Sequence, residues 1–426
     1  MKAFDQVIGY DDIKAELICF ADVIKNTDKY LKLGVTMPSG LLLYGEPGLG
    51  KTLMATCFVA EAGRKVFTLR KEKPNGEFIN QIKETFEAAK KASPAIVFLD
   101  DMDKFANEDY SHKDAEEYVA VQACIDECKG QGVFVLATVN DKHCLPDSLL
   151  RAGRFDKVIE IDNPSGKDAE RIIAYFLSQK QIMGDVDIEE LARLMDGRTC
   201  AELETVINEA GIYAGFAGKE KIDQEDIVKA NMRMMFESPE CMNPVNNADT
   251  KKAALHEAGH AVVAEVLDPG SVTLISVCRR SGSTEGFTKL CRPEGYSSSK
   301  ELQEHDIISG LGGKAATEVV YGTADMGCNG DMHKVFDKVS VLVDNNCTLG
   351  FEAFEGYNPS AYLLERKDRL MASEITRYYQ IAKRIIIENR AFLDAVTEAL
   401  MDHKTVTFRE MQTIRERYAG KNAQCA

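Results

Sequence analysis

A chain of 426 residues, 45% of them hydrophobic, has room for two or three separate cores and an ordinary globular composition. Its 52 Lys and Arg against 68 Asp and Glu leave a net charge of −16 and no basic block, which argues against nucleic acid and anionic lipid as partners of the chain as a whole. No apolar run approaches the roughly 20 residues that span a bilayer, and the 12 cysteines follow no signal peptide and form no C-x-x-C pair, so a reducing cytoplasm suits them better than a disulfide framework.

Residues 11–30 read as one helix, with apolar positions at Ile13, Leu17, Ile18, Phe20, Ala21 and Ile24. The apolar run 40–44 then predicts a buried strand, followed at once by Gly45-Glu46-Pro47-Gly48-Leu49-Gly50-Lys51-Thr52 and a helix over 54–62. A glycine-rich turn alone would mean little, but strand before and helix after are the context of a phosphate loop. In the loop from Pro47 to Gly50 the backbone N–H groups of Gly48, Leu49 and Gly50 converge on phosphate oxygens, Lys51 adds a point charge on the β and γ phosphates, and Thr52 would hold magnesium. A second strand, 65–69, leads into the polar loop Arg70-Lys71-Glu72-Lys73-Pro74-Asn75-Gly76 and a helix over 77–92.

The strand 95–99 ends in Asp100-Asp101-Met102-Asp103, where Asp100 would order the magnesium shell and Asp101 would orient the attacking water. Another strand, 133–139, ends at Asn140, whose amide would sense the γ phosphate or hold the water. Arg151 and Arg154 follow a short helix and either solvate a turn or, in a ring-forming ATPase, reach the γ phosphate of the neighbouring subunit. Strands alternating with helices over 40–161 predict a parallel sheet covered on both faces, with phosphate at the strand ends. Cys124 and Cys128 read as buried thiols.

Beyond residue 167 the strands stop, and helices over 167–180, 187–195, 200–217 and 223–236 predict a small lid. Prolines and asparagines over 237–247 mark a linker. The expected segments are a nucleotide-binding α/β domain over 1–165, a helical lid over 166–238, a linker over 239–248 and a mainly helical metallopeptidase domain over 249–426.

The last segment opens with His256-Glu257-Ala258-Gly259-His260 in a helix-favouring run. Residues four apart share a helix face, so both imidazoles can meet one metal ion while Glu257 stands beside it. Zinc bound so keeps one position for water and lowers its pKa to about 7, and Glu257 would take the proton and pass it to the leaving amine. A surface helix with two chance histidines is the bland alternative, and a third ligand decides between them. Asp331, at the start of a predicted helix beside Gly330, offers that carboxylate. Residues 271–278 and 285–290 suggest a small sheet whose edge takes an extended peptide. Residues 299–321 read as one helix whose Gly310, Gly312 and Gly313 permit tight packing, and helices over 331–345, 362–388, 390–403 and 408–418 complete a bundle. The run 365–369 reads as a solvated charged face.

In this order, from about Phe4 to Arg417, the parts resemble the cytosolic portion of FtsH-type AAA+ metalloproteases. Phe4-Asp5-Gln6-Val7-Ile8-Gly9 is similar to the segment that contacts adenine, which implies a role for Ile8 and Gly9. Asp100 and Asp101, Asn140, and Arg151 with Arg154 fall on the magnesium, sensor and arginine-finger positions. His256, Glu257 and His260 match the zinc helix, Gly327-Cys328-Asn329-Gly330-Asp331 resembles the segment that supplies the third ligand, and Asn389-Arg390 also fits. The resemblance implies a homohexameric ring that uses ATP and Mg2+ to drive protein or peptide substrates to a Zn2+ endopeptidase site. It implies a cytoplasmic protein, at the membrane face if an N-terminal anchor has been removed.

Four departures temper this. No transmembrane helix precedes the ATPase segment, and Lys73-Pro74-Asn75-Gly76 falls where the family has an aromatic pore loop. Asp101 replaces a glutamate, and about 1 Å of misplacement can cost about 10²-fold in rate. Ala152 replaces a proline. The expectation is an intact zinc peptidase with slow ATP turnover or weak unfolding, favouring short or loosely folded substrates. The alternative is a nucleotide-dependent remodelling ring with a metal domain that is non-catalytic or ATP-independent, against which the intact Glu257 argues.

Overall fold

In the computed structural model, residues 3–71, 75–106, 115–151, 153–180, 186–238, 240, 247–279, 285–291, 299–323, 326–350 and 359–422 are described. The first of two units comprises Met1–Ile188 and Met195–Ile227. It opens with α1 (Asp11–Lys25) and α2 (Thr27–Leu31) and continues through β1 (Gly40–Tyr44), α3 (Lys51–Ala62), β2 (Lys65–Leu69), α4 (Asn75–Lys91), β3 (Ala95–Leu99), α5 (Ala115–Glu127), β4 (Val133–Val139) and β5 (Lys157–Glu160). The five strands form one parallel sheet in the order β2-β3-β4-β1-β5.

Every residue of β1, β3 and β4 is buried, which is why these strands read as unbroken apolar runs rather than alternations. Alternate side chains serve opposite faces. Val133 and Val135 join Phe78, Ile82 and Phe86 of α4 in one core, while Phe134 packs with Phe58 of α3 and Phe20 of α1. In register, Tyr44 lies opposite Val139, so the loops after β1 and β4 leave the sheet side by side.

Several predicted boundaries shift in this unit, and α3 starts at Lys51 rather than at residue 54. The helix expected over 11–30 is two helices, because Asn26 leaves helical geometry at φ −107° and ψ 41° and turns its side-chain amide back onto Asp22 Oδ1 at 2.6 Å. The helix expected from residue 77 begins at Asn75, which shortens the polar loop, and Lys73 and Pro74 lie outside the described residues.

The lid helices follow as α6 (Gly166–Ser178), α7 (Ile188–Leu194), α8 (Cys200–Phe216) and α9 (Gln224–Phe236). Thr199 and Glu202 close a reciprocal capping box at the start of α8. The second unit takes Glu189–Leu194 together with Val228–Ala426, so parts of α7 and α9 belong to it. There Glu190 accepts the Arg409 backbone N–H at 3.0 Å, and Lys289 donates to the Leu194 carbonyl at 2.6 Å.

The rest of the second unit runs α10 (Asn247–Leu267), β6 (Val272–Ser276), β7 (Phe287–Leu290), α11 (Lys300–Gly310), α12 (Gly312–Tyr321), α13 (Asn329–Asn345), α14 (Ala361–Glu388), α15 (Arg390–His403), β8 (Thr405–Thr407) and α16 (Phe408–Asn422). The core gathers around α10, which buries residues on nearly every side from Ala254 to Glu265. Glu265, 1% exposed, accepts the N–H groups of Gly270 and Val272, both at 2.9 Å, and so fixes the turn from α10 into β6. The antiparallel sheet has the order β7-β6-β8. Its three-residue member β8 is too short to show a period and was not anticipated.

The helix expected over 299–321 is likewise two, jointed at Leu311 between glycines of low helix propensity. The joint brings α12 against α10: a Cβ on Gly259 would lie 2.5 Å from the Gly312 carbonyl oxygen and 2.6 Å from Ala316 Cβ. Among the described residues no helix is long and apolar enough to cross a membrane.

Candidate metal centre and nucleotide site

On α10, His256 and His260 project together as their spacing requires, and Asp331 in the first turn of α13 meets them. Asp331 Oδ2 lies 3.0 Å from His256 Nε2 and 3.2 Å from His260 Nε2, and the two nitrogens are 3.1 Å apart. A tetrahedron with zinc–ligand bonds of about 2.0–2.1 Å has edges of about 3.3 Å, so this triangle is close to one face of a zinc site. The other ring nitrogen of His260 sits 2.7 Å from the Ser309 carbonyl, which can only accept, so Nδ1 carries the proton and Nε2 keeps its lone pair for the ion. Burial alone would raise the Asp331 carboxyl, but the neighbouring His256 and His260 rings outweigh it and hold the group as an anion. Burial alone would lower the His260 imidazole, yet Asp331, Glu257 and the Ser309 carbonyl raise it on balance. The donors thus favour a positive charge at their centre.

Glu257 is 8% exposed and borders a cleft of about 500 Å³ that also exposes His256 and Asp331. Thr288 Oγ1 donates to Glu257 Oε2 at 2.8 Å. Burial pushes the Glu257 carboxyl up, against the pull of His260 and His256. Gly286 passes so close that a Cβ there would lie 2.7 Å from Glu257 Cγ. Gly313 is tighter still: its Cβ would lie 2.5 Å from His260 Nε2 and 2.6 Å from His256 Nε2. This glycine, expected to serve packing alone, makes room for both imidazoles. Ser309, Gly313, Gly286 and Thr288 were missed from sequence, and the Gly310-Leu311-Gly312-Gly313 run was the one signal pointing toward any of them.

In the first unit, the loop after β1 places Gly48 and Gly50 at φ 88° and 85°, a left-handed backbone that glycine adopts without strain. Lys51 is buried, and its ammonium donates to the carbonyls of Gly45 and Glu46 at 2.7 Å and to Asn140 Oδ1 at 2.9 Å. Burial lowers its pKa, while Asp103, Asp101 and Asp100 work the other way. Thr52 Oγ1 donates to Asp100 Oδ1 at 3.0 Å, and the Thr138 hydroxyl donates to the same oxygen at 2.9 Å. Asn140 donates its amide N–H to Asp103 Oδ2 at 3.0 Å. Pro47, Gly48, Leu49 and Gly50 therefore lie in one loop with Lys51, Thr52, Asp100 and Asn140 around its end. Asp101, at φ 52°, carries a carboxylate that Lys104 holds at 2.6 Å.

Ile8 and Gly9 precede a left-handed turn in which the Tyr10 N–H donates to Asp168 Oδ2 at 3.0 Å, tying this segment to the start of α6. A Cβ on Gly48 would lie 2.8 Å from Ala201 Cβ, so the loop abuts the start of α8. The two arginines part company. The Arg151 side chain is exposed and makes no hydrogen bond or ion pair among the described residues. Arg154 forks onto Asp126, Nε to Oδ1 at 3.0 Å and Nη2 to Oδ2 at 2.7 Å, and also donates to the Ser148 carbonyl. Ala152 lies outside the described residues.

Comparison with known proteins finds three family matches along the chain. Residues 41–163 match the ATPase family associated with various cellular activities (AAA), residues 185–229 the AAA+ lid domain, and residues 244–414 peptidase family M41. The chain is 31% identical over 452 residues to ATP-dependent zinc metalloprotease FtsH 3 of Symbiobacterium thermophilum, covering 97% of this chain and 71% of that protein. It is 29% identical over 424 residues to FtsH 2 of Thermoanaerobacter sp., covering 97% and 82%. With FtsH of Caldicellulosiruptor bescii it shares 30% identity over 444 residues, covering 96% and 71%.

Proposed function

The chain belongs to the family of ATP-dependent zinc metalloproteases that the FtsH proteins represent, and from that premise we propose how its residues carry the activity. It is an ATP-dependent zinc protease, an AAA ATPase joined to an M41 peptidase. We assign the nucleotide-binding domain to 1–165, the lid to 166–238, the linker to 239–248 and the peptidase to 249–426.

His256 Nε2, His260 Nε2 and one oxygen of Asp331 hold zinc, and the observation that carries this is their mutual spacing of 3.0–3.2 Å, reached from segments more than 70 residues apart. Zinc bound there polarises the scissile carbonyl and acidifies water. Glu257 is the general base: Thr288 holds its Oε2, Gly286 walls its flank, and Oε1 is left to accept the water's proton and return it to the amine nitrogen as the peptide bond breaks. Ser309 fixes the tautomer of His260.

Ile8 and Gly9 serve the adenine, Pro47 shapes the phosphate loop, Gly48, Leu49 and Gly50 serve the phosphates through backbone N–H groups, Lys51 the β and γ phosphates, and Asn140 the γ phosphate. Thr52 and Asp100 would hold magnesium, which draws charge from the phosphates when bound, and Asp101 orients the attacking water. We propose a homohexameric ring in which exposed Arg151 reaches the neighbouring nucleotide, with Arg154 braced behind it by Asp126. We place the protein in the cytoplasm, which the free thiols of all ten described cysteines favour. A remodelling ring with an idle metal site is not favoured, since a structural site has no use for Glu257.

Casein digestion by a preparation of known mass, with and without ATP, zinc and a chelator, tests this reading. Chelation should stop cleavage and zinc restore it. Digestion that persists in metal-free protein would contradict the assignment.

A further inference from the structure

Arg70, the first residue after β2, reaches across to the end of β3. Its Nη2 lies 3.3 Å from Asp101 Oδ2 and 3.5 Å from Asp100 Oδ2. The other oxygen of Asp100 already accepts from Thr52 and Thr138, so the two Oδ2 atoms are the ones turned toward a positive charge. The partners differ in freedom: the Asp100 side chain is 6% exposed and the Arg70 side chain 54%. A buried acid is therefore faced by a cation that can swing into solvent. The next residue, Lys71, pairs with Glu117 of α5 at 3.1 Å, which anchors the backbone from which Arg70 projects.

We propose that Arg70 is a positioning residue of the ATPase reaction that competes with magnesium for Asp100 and Asp101. The proposal rests on the reading of residues 45–52 and Asp100 as the nucleotide site. A divalent cation beside Thr52 draws on the same carboxylates, directly or through its waters, and a guanidinium within 3.5 Å of both opposes it by like-charge repulsion. Without magnesium, Arg70 screens two adjacent carboxylates from each other. When the metal nucleotide binds, the guanidinium must leave, and Asp101 is then held by Lys104 alone. Arg70 thus weakens metal-nucleotide binding relative to binding of the metal-free nucleotide, because a cation that opposes magnesium also helps to bind bare phosphate.

The test measures binding rather than turnover. Affinity of the full chain for a fluorescent ADP analogue is titrated with MgCl2 and again with excess EDTA, and the ratio of the two affinities is compared between proteins. Arg70→Ala and Arg70→Gln should raise the ratio about two- to fivefold, the range expected of a half-exposed ion pair, whereas Arg70→Lys, which keeps the charge, should stay near the native ratio. A ratio that is unchanged or lower in both neutral variants overturns the proposal, and a purely structural role, which weakens both arms alike, gives that unchanged ratio. Native protein that binds no nucleotide in either arm overturns the nucleotide-site reading and the proposal with it. A Lys51→Ala control that loses binding in both arms keeps the two failures distinguishable.

Discussion

Gly313 sets the tightest constraint on the metal centre, and it is a residue with no side chain. A methyl group there would sit 2.5–2.6 Å from the nitrogens of His260 and His256 that meet Asp331, closer than any relaxed contact. We predict that Gly313→Ala lowers zinc affinity at least as much as the about 10–100-fold typical of a lost outer-shell partner, read as zinc retained through gel filtration; a variant that keeps stoichiometric zinc would show that the imidazoles can move aside. His256, Glu257 and His260 were legible because a four-residue spacing on a helix is itself the geometry. Asp331 was legible as a candidate, since a carboxylate in a first helical turn does not say which metal it will meet. Gly313, Gly286 and Thr288 were not, because what a small residue spares or a hydroxyl holds depends on the chain that tertiary packing brings beside it. Asp101 was read from its place at a strand end, whereas its left-handed backbone and its pairing with Arg70 and Lys104 emerge only in three dimensions.

Among the elements, α10 and α12 cross where Gly259 meets Gly312, and this crossing carries His256 and His260 to their place. Two effects of Gly259→Ala oppose each other. Alanine gains about 1 kcal/mol of helix propensity over glycine, but its Cβ would lie 2.5 Å from the Gly312 carbonyl oxygen, and backbone on a crossing helix cannot rotate away. Overpacking should win, with a net loss of about 1–3 kcal/mol and a lower melting temperature for the second unit; an unchanged or higher melting temperature would show that the helices separate at little cost. The named helices followed from their apolar spacing and β1, β3 and β4 from unbroken apolar runs, whereas α5 and β5 had no bounds from sequence. The breaks at Asn26 and Leu311 did not follow from sequence, since apolar spacing continues through both, and β8 escaped because three residues carry no period.

At the scale of the molecule, nucleotide and metal chemistry were legible as separate segments because each carries its own motif within its own run of elements. The division of the lid was not, since α7 joins the second unit through contacts such as that between Glu190 and Arg409, 219 residues apart. Separate sites imply separable failures. Lys51→Ala removes the ammonium at the phosphate loop and should abolish nucleotide-driven degradation of a stably folded protein while cleavage of short peptides stays within about twofold of native, an expectation that rests on the distinct roles of the two sites. Loss of peptide cleavage in that variant would mean that the metal centre depends on nucleotide for its assembly. The most direct test of the peptidase itself is made on Glu257→Gln, with zinc content and casein cleavage measured on one preparation. Stoichiometric zinc with no detectable cleavage is the expected result. Cleavage near the native rate by zinc-loaded Glu257→Gln would contradict the role of Glu257 as the base that activates water.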